Sequence, residues 1–268
     1  MIESERQRVI LSAVESRPVV TVGELVELTG SSEATVRRDV ATLHLQKRLR
    51  RVRGGAESLN PHAGLAGRPF AINATENVGE KRAIARAAAA LCEDGDAIII
   101  NGGTTTFQMV HPLAHRRLQV FTNSFPIAEH LLRGSRNTVI LPAGTVYREQ
   151  DIILSPFAHD GTASFQARRM FMGAQGIGPL GVSEADPLVI QAEEKLIGQA
   201  EELVVLVDAS KFARRSSLIV RPLGRVACVV TDDRVEDRHV RMLEEAGVRV
   251  IVASAAAAAK ESASEKAS

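Results

Sequence analysis

The amino-acid sequence predicts a chain of two parts, an N-terminal winged helix-turn-helix followed by an α/β domain with a largely parallel sheet. Three observations carry this expectation. A capping box and a glycine-ended second helix stand ahead of a third amphipathic segment; a short stretch is crowded with basic residues; and a long alternation of apolar runs with helical stretches follows. Length and composition agree, since 268 residues with 45% hydrophobic content and a mean hydropathy near zero suffice for two compact domains.

Val9, Ile10, Ala13 and Val14 fall at helical spacing and place a first helix over residues 4–14, closed by the turn Glu15, Ser16, Arg17, Pro18. Thr21 and Glu24 then form a capping box: the hydroxyl accepts from an orphan N–H while the carboxylate reaches back to the cap. The second helix accordingly spans 22–29, with Leu25, Val26 and Leu28 as its packing face and Gly30 as its stop. Ser31 or Ser32 caps a third helix in which Val36, Val40 and Leu43 recur at i, i+4 and i+7. Its other face offers Thr35, Arg38 and Thr42, with Arg37 beside them. From Leu49 to Gly55 apolar and basic residues alternate before two glycines, the pattern of a β-hairpin wing. Residues 57–73 show little periodicity and carry Asn60, Pro61, Gly64, Gly67 and Pro69, as a linker does.

The net charge of +1 conceals an asymmetry. Residues 1–56 hold ten Lys/Arg against seven Asp/Glu, and Arg37 to Arg53 alone holds seven basic residues against the single acid Asp39. The remainder, with 23 Lys/Arg and 25 Asp/Glu, is balanced, so a basic nucleic-acid module is joined to a neutral body. Two helices linked by a short glycine turn place the second in the major groove of DNA. The candidate DNA contacts are Thr21, Ser32, Thr35, Arg37, Arg38, Arg51 and Arg53. Arginine can fork onto guanine and threonine can orient on phosphate, whereas Asp39 would repel phosphate and reads as a partner for a neighbouring arginine. A solvated basic helix is the plain alternative.

Beyond the linker, helical character is expected over 80–92, 127–132, 187–200 and 238–246. Strands are expected over 97–100, 118–122, 138–141, 170–172, 203–207, 226–230 and 248–252, which together imply a mainly parallel sheet. The first strand empties into Asn101, Gly102, Gly103, Thr104, Thr105 and Thr106, a glycine and hydroxyl loop opening a helix. Such a loop can turn backbone N–H groups toward an anion, and it also fits an ordinary strand-to-helix turn. It lacks the Gly-Lys-Ser/Thr ending of a nucleoside-triphosphate loop. Two other strand ends are polar in the same way, Thr122-Asn123-Ser124 and Asp208-Ala209-Ser210-Lys211. Ligands of open α/β sheets bind beyond the carboxyl ends of the strands, and Lys211 supplies a point charge suited to phosphate.

The order of Thr35-Val36-Arg37-Arg38-Asp39, Arg53-Gly54-Gly55-Ala56, Lys81 with Ile84-Ala85, Gly102-Gly103-Thr104-Thr105, Thr122-Asn123-Ser124, Gly173 with Gly176-Ile177, and Asp208-Ala209-Ser210-Lys211 resembles the DeoR family of sugar-operon repressors over nearly the whole chain. The resemblance implies a sensor domain similar to phosphosugar isomerases and CoA transferases, with a crevice that binds a sugar phosphate and thereby releases operator DNA. The implied effector contacts are Asn101 to Thr106, Thr122 to Ser124, Arg148, Asp208, Ser210 and Lys211. The chain departs from the family pattern at Pro142-Ala143-Gly144, and again over Tyr147, Arg148 and Ile153 to Pro156. It looks most like regulators of ascorbate or rhamnose utilisation, the rhamnose subgroup being the closer. Expected domain limits are 1–57 for the DNA-binding domain, 58–75 for the linker, 76–253 for the sensor and 254–268 for a disordered tail of Ala, Ser, Glu and Lys.

Several other chemistries are disfavoured. Cys92 and Cys228 each lie in an apolar segment and read as buried core thiols. His111 and His115 flank Pro112 with no carboxylate or cysteine nearby and read as loop residues, so neither a metal nor any other cofactor is expected. The N-terminus lacks the pattern of a signal peptide and no apolar run is long enough to span a membrane, so a cytoplasmic protein is expected. The competing reading is a phosphosugar isomerase-like enzyme fused to a DNA-binding module. Glu184, Glu193 and Glu194 are candidate bases by residue type alone, outside any catalytic motif, and no enzyme activity is expected. Repeated half-sites on DNA call for a homodimer or homotetramer.

Overall fold

A computed structural model describes residues 2–15, 20–57, 70–148, 150–214 and 216–254. They form two compact units, one within Met1–Asn73 and one within Ala74–Ser268. Of the expected turn, Glu15 ends the first helix and residues 16–18 lie outside the described residues, as do most of the expected linker and the tail after residue 254.

In the first unit, α1 (Glu3–Glu15) precedes β1 (Val20–Thr21), α2 (Val22–Thr29), α3 (Glu33–Leu45), β2 (Arg50–Val52), β3 (Gly55–Glu57) and α4 (Phe70–Asn73). The capping box at Thr21 is present in both directions, and the Gly30 N–H closes α2 on the Val26 carbonyl at 2.9 Å. Ser32, one of the two serines considered, caps α3. Val36, Val40 and Leu43 turn inward to meet Ile10, Val14 and Leu25 in one cluster. Full burial of each such side chain contributes roughly 1.5–3 kcal/mol. β2 and β3 make the wing, and β1 completes a three-stranded antiparallel sheet in the order β1-β3-β2. One helical turn, α4, replaces part of the expected linker, because Phe70-Ala71-Ile72-Asn73 contains no helix breaker.

The second unit runs α5 (Val78–Ala89), β4 (Ala97–Ile100), α6 (Thr104–Phe107), α7 (Val110–Leu113), β5 (Gln119–Thr122), α8 (Phe125–Gly134) and β6 (Thr138–Ile140). It continues with β7 (Thr145–Tyr147), β8 (Ile152–Leu154), β9 (Ala167–Met172), β10 (Gly176–Gly178), β11 (Gly181–Glu184) and α9 (Pro187–Ile197). β12 (Ala200–Leu206), β13 (Leu218–Arg221), β14 (Cys228–Asp232), α10 (Asp237–Glu245) and β15 (Arg249–Ala253) complete it. Seven strands pair in parallel in the order β15-β14-β12-β9-β4-β5-β6. Alternation along β4 sends Ile98 and Ile100 to one face, where α5, α7 and α8 pack, and Ile99 to the other, with α9 and α10.

His111 lies inside α7, contrary to the loop reading; a single helical turn asks few backbone N–H groups for partners, so Pro112 is tolerated there. Two small antiparallel elements were not foreseen: the hairpin β7–β8, and a sheet in the order β10-β11-β13. Each strand is three or four residues long, too short for a periodic signal.

Gly55 is required by close approach, since a Cβ there would stand 2.2 Å from the Val20 carbonyl oxygen, a backbone atom. Gly55→Ala should therefore destabilise the first unit by about 1–3 kcal/mol, read as a lowered unfolding temperature of that unit by calorimetry. An unchanged midpoint would show that β1 is not packed on the wing as described.

Candidate functional site

Two places gather the residues singled out from sequence. In the first unit, α3 and the wing flank an open groove of about 540 Å³ bordered by Arg37, His44, Arg51 and Arg53. Buried Asp39 anchors the back of α3 by an ion pair with Arg6 of α1, so its partner comes from another helix and not from a sequence neighbour. Arg37 Nη2 donates to Glu33 Oε1 at 2.6 Å, one turn earlier on the exposed face. Arg38 is exposed and makes no ion pair among the described residues. The Ser32 and Thr35 hydroxyls bond each other at 2.8 Å within the cap, and the Thr21 hydroxyl is engaged by Glu24. Arg51 and Arg53 stand exposed on the wing.

In the second unit the chain reverses direction in the sheet at β4 and β9: β5 and β6 are added on one side, β12, β14 and β15 on the other. The loops after β5, β4, β9 and β12 thus lie side by side at the carboxyl edge, where such sheets bind ligands. Asn101 joins two of them, its Oδ1 accepting from the Gly173 N–H at 3.2 Å, while its Nδ2 donates to Glu193 Oε1 of α9 at 2.9 Å. The Gly102 N–H donates to Asn123 Oδ1 at 2.9 Å, linking the loops after β4 and β5. A Cβ on Gly102 would collide with Ile152 at 2.1 Å, so its absence lets the β7–β8 hairpin lie on the loop. The Ile153 N–H to Asn123 carbonyl bond, 2.7 Å, fastens the same hairpin.

Most of the loop hydroxyls serve the loops themselves. Thr106 donates to the Asn101 and Gly103 carbonyls, Thr122 accepts from the Ser124 N–H, and Ser124 caps α8. Thr105 is buried, Gly103 and Thr104 are half-exposed, and Arg148 is exposed at the hairpin turn with no bond to the crevice among the described residues.

The cationic centre lies at the loop after β12. Asp208 is buried and accepts from the Ser210 N–H at 3.0 Å and from Asn77 Nδ2 at 3.1 Å. Around it stand Lys211, Lys81 and Arg214. Burial pushes the Lys211 ammonium down to about 8, helped by Arg214 and Lys81 and opposed by Asp208 and Glu184. Lys81, only 3% exposed, is likewise pushed down by burial. Among the described residues Lys211 has no ion-pair partner within 4 Å. Nearby, burial raises the Glu184 carboxyl to about 7 and Glu193 well above the usual carboxylate range. The unit thus holds crowded, partly desolvated ammonium groups that an anion would relieve. A cavity of about 260 Å³ lies between the hairpin and α9 with Asn123 in its wall, but Lys195 in its lining is engaged by Asp160 at 3.0 Å and by two backbone carbonyls.

Sequence reasoning did not place Lys81 in the site. Its signal was a lysine at the core-facing spacing of α5, in step with Ile84, Ala85 and Ala88.

Residues 6–62 match the DeoR-like helix-turn-helix domain, and residues 76–233 match the DeoR C-terminal sensor domain. The HTH-type transcriptional regulator UlaR of Shigella dysenteriae serotype 1 (strain Sd197) is 30% identical over 251 residues, covering 94% of this chain and 99% of that protein. The regulator of the same name from Escherichia coli (strain K12 / DH10B) matches with the same identity and coverage. Among solved structures, ribose 5-phosphate isomerase A from Methanocaldococcus jannaschii aligns with a TM-score of 0.39 and 18% identity, over 51% of this chain and 55% of that one. The eIF2B beta subunit from Chaetomium thermophilum aligns with a TM-score of 0.40 and 14% identity, over 85% and 81%.

If Lys211 must be charged to hold an anion, affinity falls as pH rises through its folded value near 8, and ionisation of neighbouring Glu184 near 7 adds to the fall. Sulfate, a dianion throughout, is the clean probe: its affinity should drop between about pH 7 and about pH 9.5. In Lys211→Met it should be about tenfold weaker at neutral pH, and the part of the fall above about pH 8 should be much flatter. Calorimetric titration reads both, and a Lys211→Met profile identical to that of the parent chain would remove Lys211 from the site.

Proposed function

The chain belongs to the DeoR family of helix-turn-helix transcriptional regulators, and from that membership we propose that it represses a sugar-catabolic operon and leaves its operator when a phosphorylated sugar binds the second unit. The observation that carries the effector half is the pair of lysines, Lys81 buried and Lys211 partly buried, beside Asp208 at the carboxyl edge of the sheet. A dianion answers such a centre far better than a neutral sugar does. Gly103, Thr104 and Ser210 border the same edge and supply additional donors. Asn101, Gly102, Thr106, Thr122, Asn123 and Ser124 hold the edge in shape, with Thr105 buried in the same loop. No catalytic step, metal or other cofactor is part of this reading. The working protein is a cytoplasmic homodimer or homotetramer on double-stranded DNA.

The DNA half rests on the distribution of acids along α3. With Arg37 tied to Glu33 and Asp39 to Arg6, Arg38 is the uncommitted guanidinium of the helix. Arg38→Ala should weaken operator binding by about 1–3 kcal/mol, and by more than Arg37→Ala. Arg51 and Arg53 meet phosphate, so Arg51→Ala should weaken all sequences alike and reduce the salt slope by about one. Binding assays on a duplex selected by the protein from a random library measure these effects. Unchanged affinity in both α3 variants would reject the recognition helix.

The effector half is tested by measuring operator affinity against pentose, hexose and 6-deoxyhexose phosphates and the corresponding free sugars. The rhamnose-subgroup resemblance puts 6-deoxyhexose phosphates first. One phosphate should lower operator affinity roughly 5- to 150-fold, the ordinary range of allosteric coupling. Lys211→Ala should bind operator normally and respond poorly. Release by the free sugar as effective as by its phosphate would defeat the proposal. The isomerase reading draws on Glu184, whose carboxyl near 7 suits a general base. In the same assays the regulator reading expects every sugar phosphate to be recovered unchanged.

A further inference from the structure

The sugar-recognising end of the crevice has a candidate that none of the loop motifs contains. Glu193 projects from α9 into the strand reversal and is 3% exposed. Its Oε1 accepts from Asn101 Nδ2, yet its Oε2 is fully buried and has no hydrogen-bond partner. Native proteins rarely leave a buried carboxylate oxygen unsatisfied, and such atoms occur where a ligand or ion completes them. A second orphan lies on the loop after β12, where the Ser210 hydroxyl oxygen is also buried without a partner, next to Lys211. Room exists next to the junction, where a Cβ on Gly173, whose N–H bonds Asn101, would meet nothing within 4 Å; Oε2 is itself closed to solvent, so a ligand in that space reaches it once the Glu193 side chain turns.

We propose that Glu193 is a sugar-recognition residue, its unpartnered Oε2 bonding a hydroxyl of the effector in the space beside Gly173 while the lysines hold the phosphate. This inference rests on the effector reading of the crevice given above. Glu193 acts there as a neutral acid. It is deeply buried, the Glu184 carboxyl from β11 opposes a second negative charge, and the Asn101 amide alone favours ionisation. Lys211, across the site, faces Glu184. A neutral carboxyl donates through its O–H to a hydroxyl oxygen, and the hydroxyl can donate onward to the Ser210 oxygen. The phosphate end supplies affinity for the anion, and Glu193 tells sugars apart.

Calorimetric titration of the full chain with sulfate and with the sugar-phosphate panel tests this. Glu193→Ala should weaken the best-binding sugar phosphate by about ten- to a hundredfold and leave sulfate affinity within about twofold. Glu193→Gln, whose amide keeps one acceptor and supplies N–H donors in place of the acid O–H, should stay within about threefold of the parent for both. Should Glu193→Ala not fold, Gly173→Val fills the space from the other side and should give the same split between sugar phosphate and sulfate. On the parent chain, the deoxy analogue lacking the bonded hydroxyl should lose as much as Glu193→Ala loses, and the two losses should not add.

The inference is overturned if Glu193→Ala and Gly173→Val leave sugar-phosphate affinity unchanged, or weaken sulfate equally. It is also overturned if Glu193→Gln is as damaging as Glu193→Ala, which would mean an ionised carboxylate is needed. Sulfate binding without binding of any sugar phosphate overturns it too, while the anion centre survives. Conversely, Glu193-dependent binding of free sugars with no sulfate binding sustains this inference and rejects the phosphate reading.

Discussion

The buried amide of Asn101 is the constraint on which the second unit turns. A parallel sheet that adds strands in both directions must leave two adjacent central strands, here β4 and β9, whose continuations part company. Asn101 itself is buried at that parting, so the partners of its amide must come from the protein. Asn101 meets the requirement with one side chain, accepting from Gly173 beyond β9 and donating to Glu193 on α9, while its own backbone N–H bonds the Phe171 carbonyl. Strand ends, helix and loops are thus held in one register. The Gly102 to Asn123 bond extends the arrangement to β5, and Ile152 lying over Gly102 extends it to the hairpin.

The recognition helix shows how local acids sort otherwise similar arginines. Arg37 and Arg38 are neighbours in sequence, but Glu33 lies one turn before Arg37 and no acid stands in the equivalent place for Arg38. The one acid in the patch, Asp39, is drawn to the back of the helix by Arg6 and so does not oppose DNA. The positive face is therefore narrower than the count of basic residues suggests, and its wing side is carried by Arg51 and Arg53.

Helix limits in the first unit were legible because caps are local chemistry: Thr21, Glu24, Gly30 and Ser32 settle their ends without reference to the rest of the chain. The main strands were legible because burial on both faces gives each a short apolar run, such as Ile98 to Ile100 or Leu203 to Val207. Three-residue strands such as β7 and β8 carry no such signal and form only because their loops bring them together. The threonines after β4 looked like ligand donors by type, yet Thr106 closes its own loop, a use that only the backbone path reveals. Lys81 and Glu193 went the other way. Each is a charged residue at a core-facing helical position, and sequence alone does not tell a satisfied buried charge from a functional one.

Lys81 carries a wider consequence. A lysine on the inner face of an alanine-rich helix packs its aliphatic stem well but holds its ammonium where solvation is poor. A methionine of similar length would fill the same volume without that penalty, but it would leave the buried carboxylate of Asp208 with one cation fewer beside it. The cation at position 81 and the acid at position 208 are therefore coupled, and an apolar exchange at either alone leaves the other less compensated.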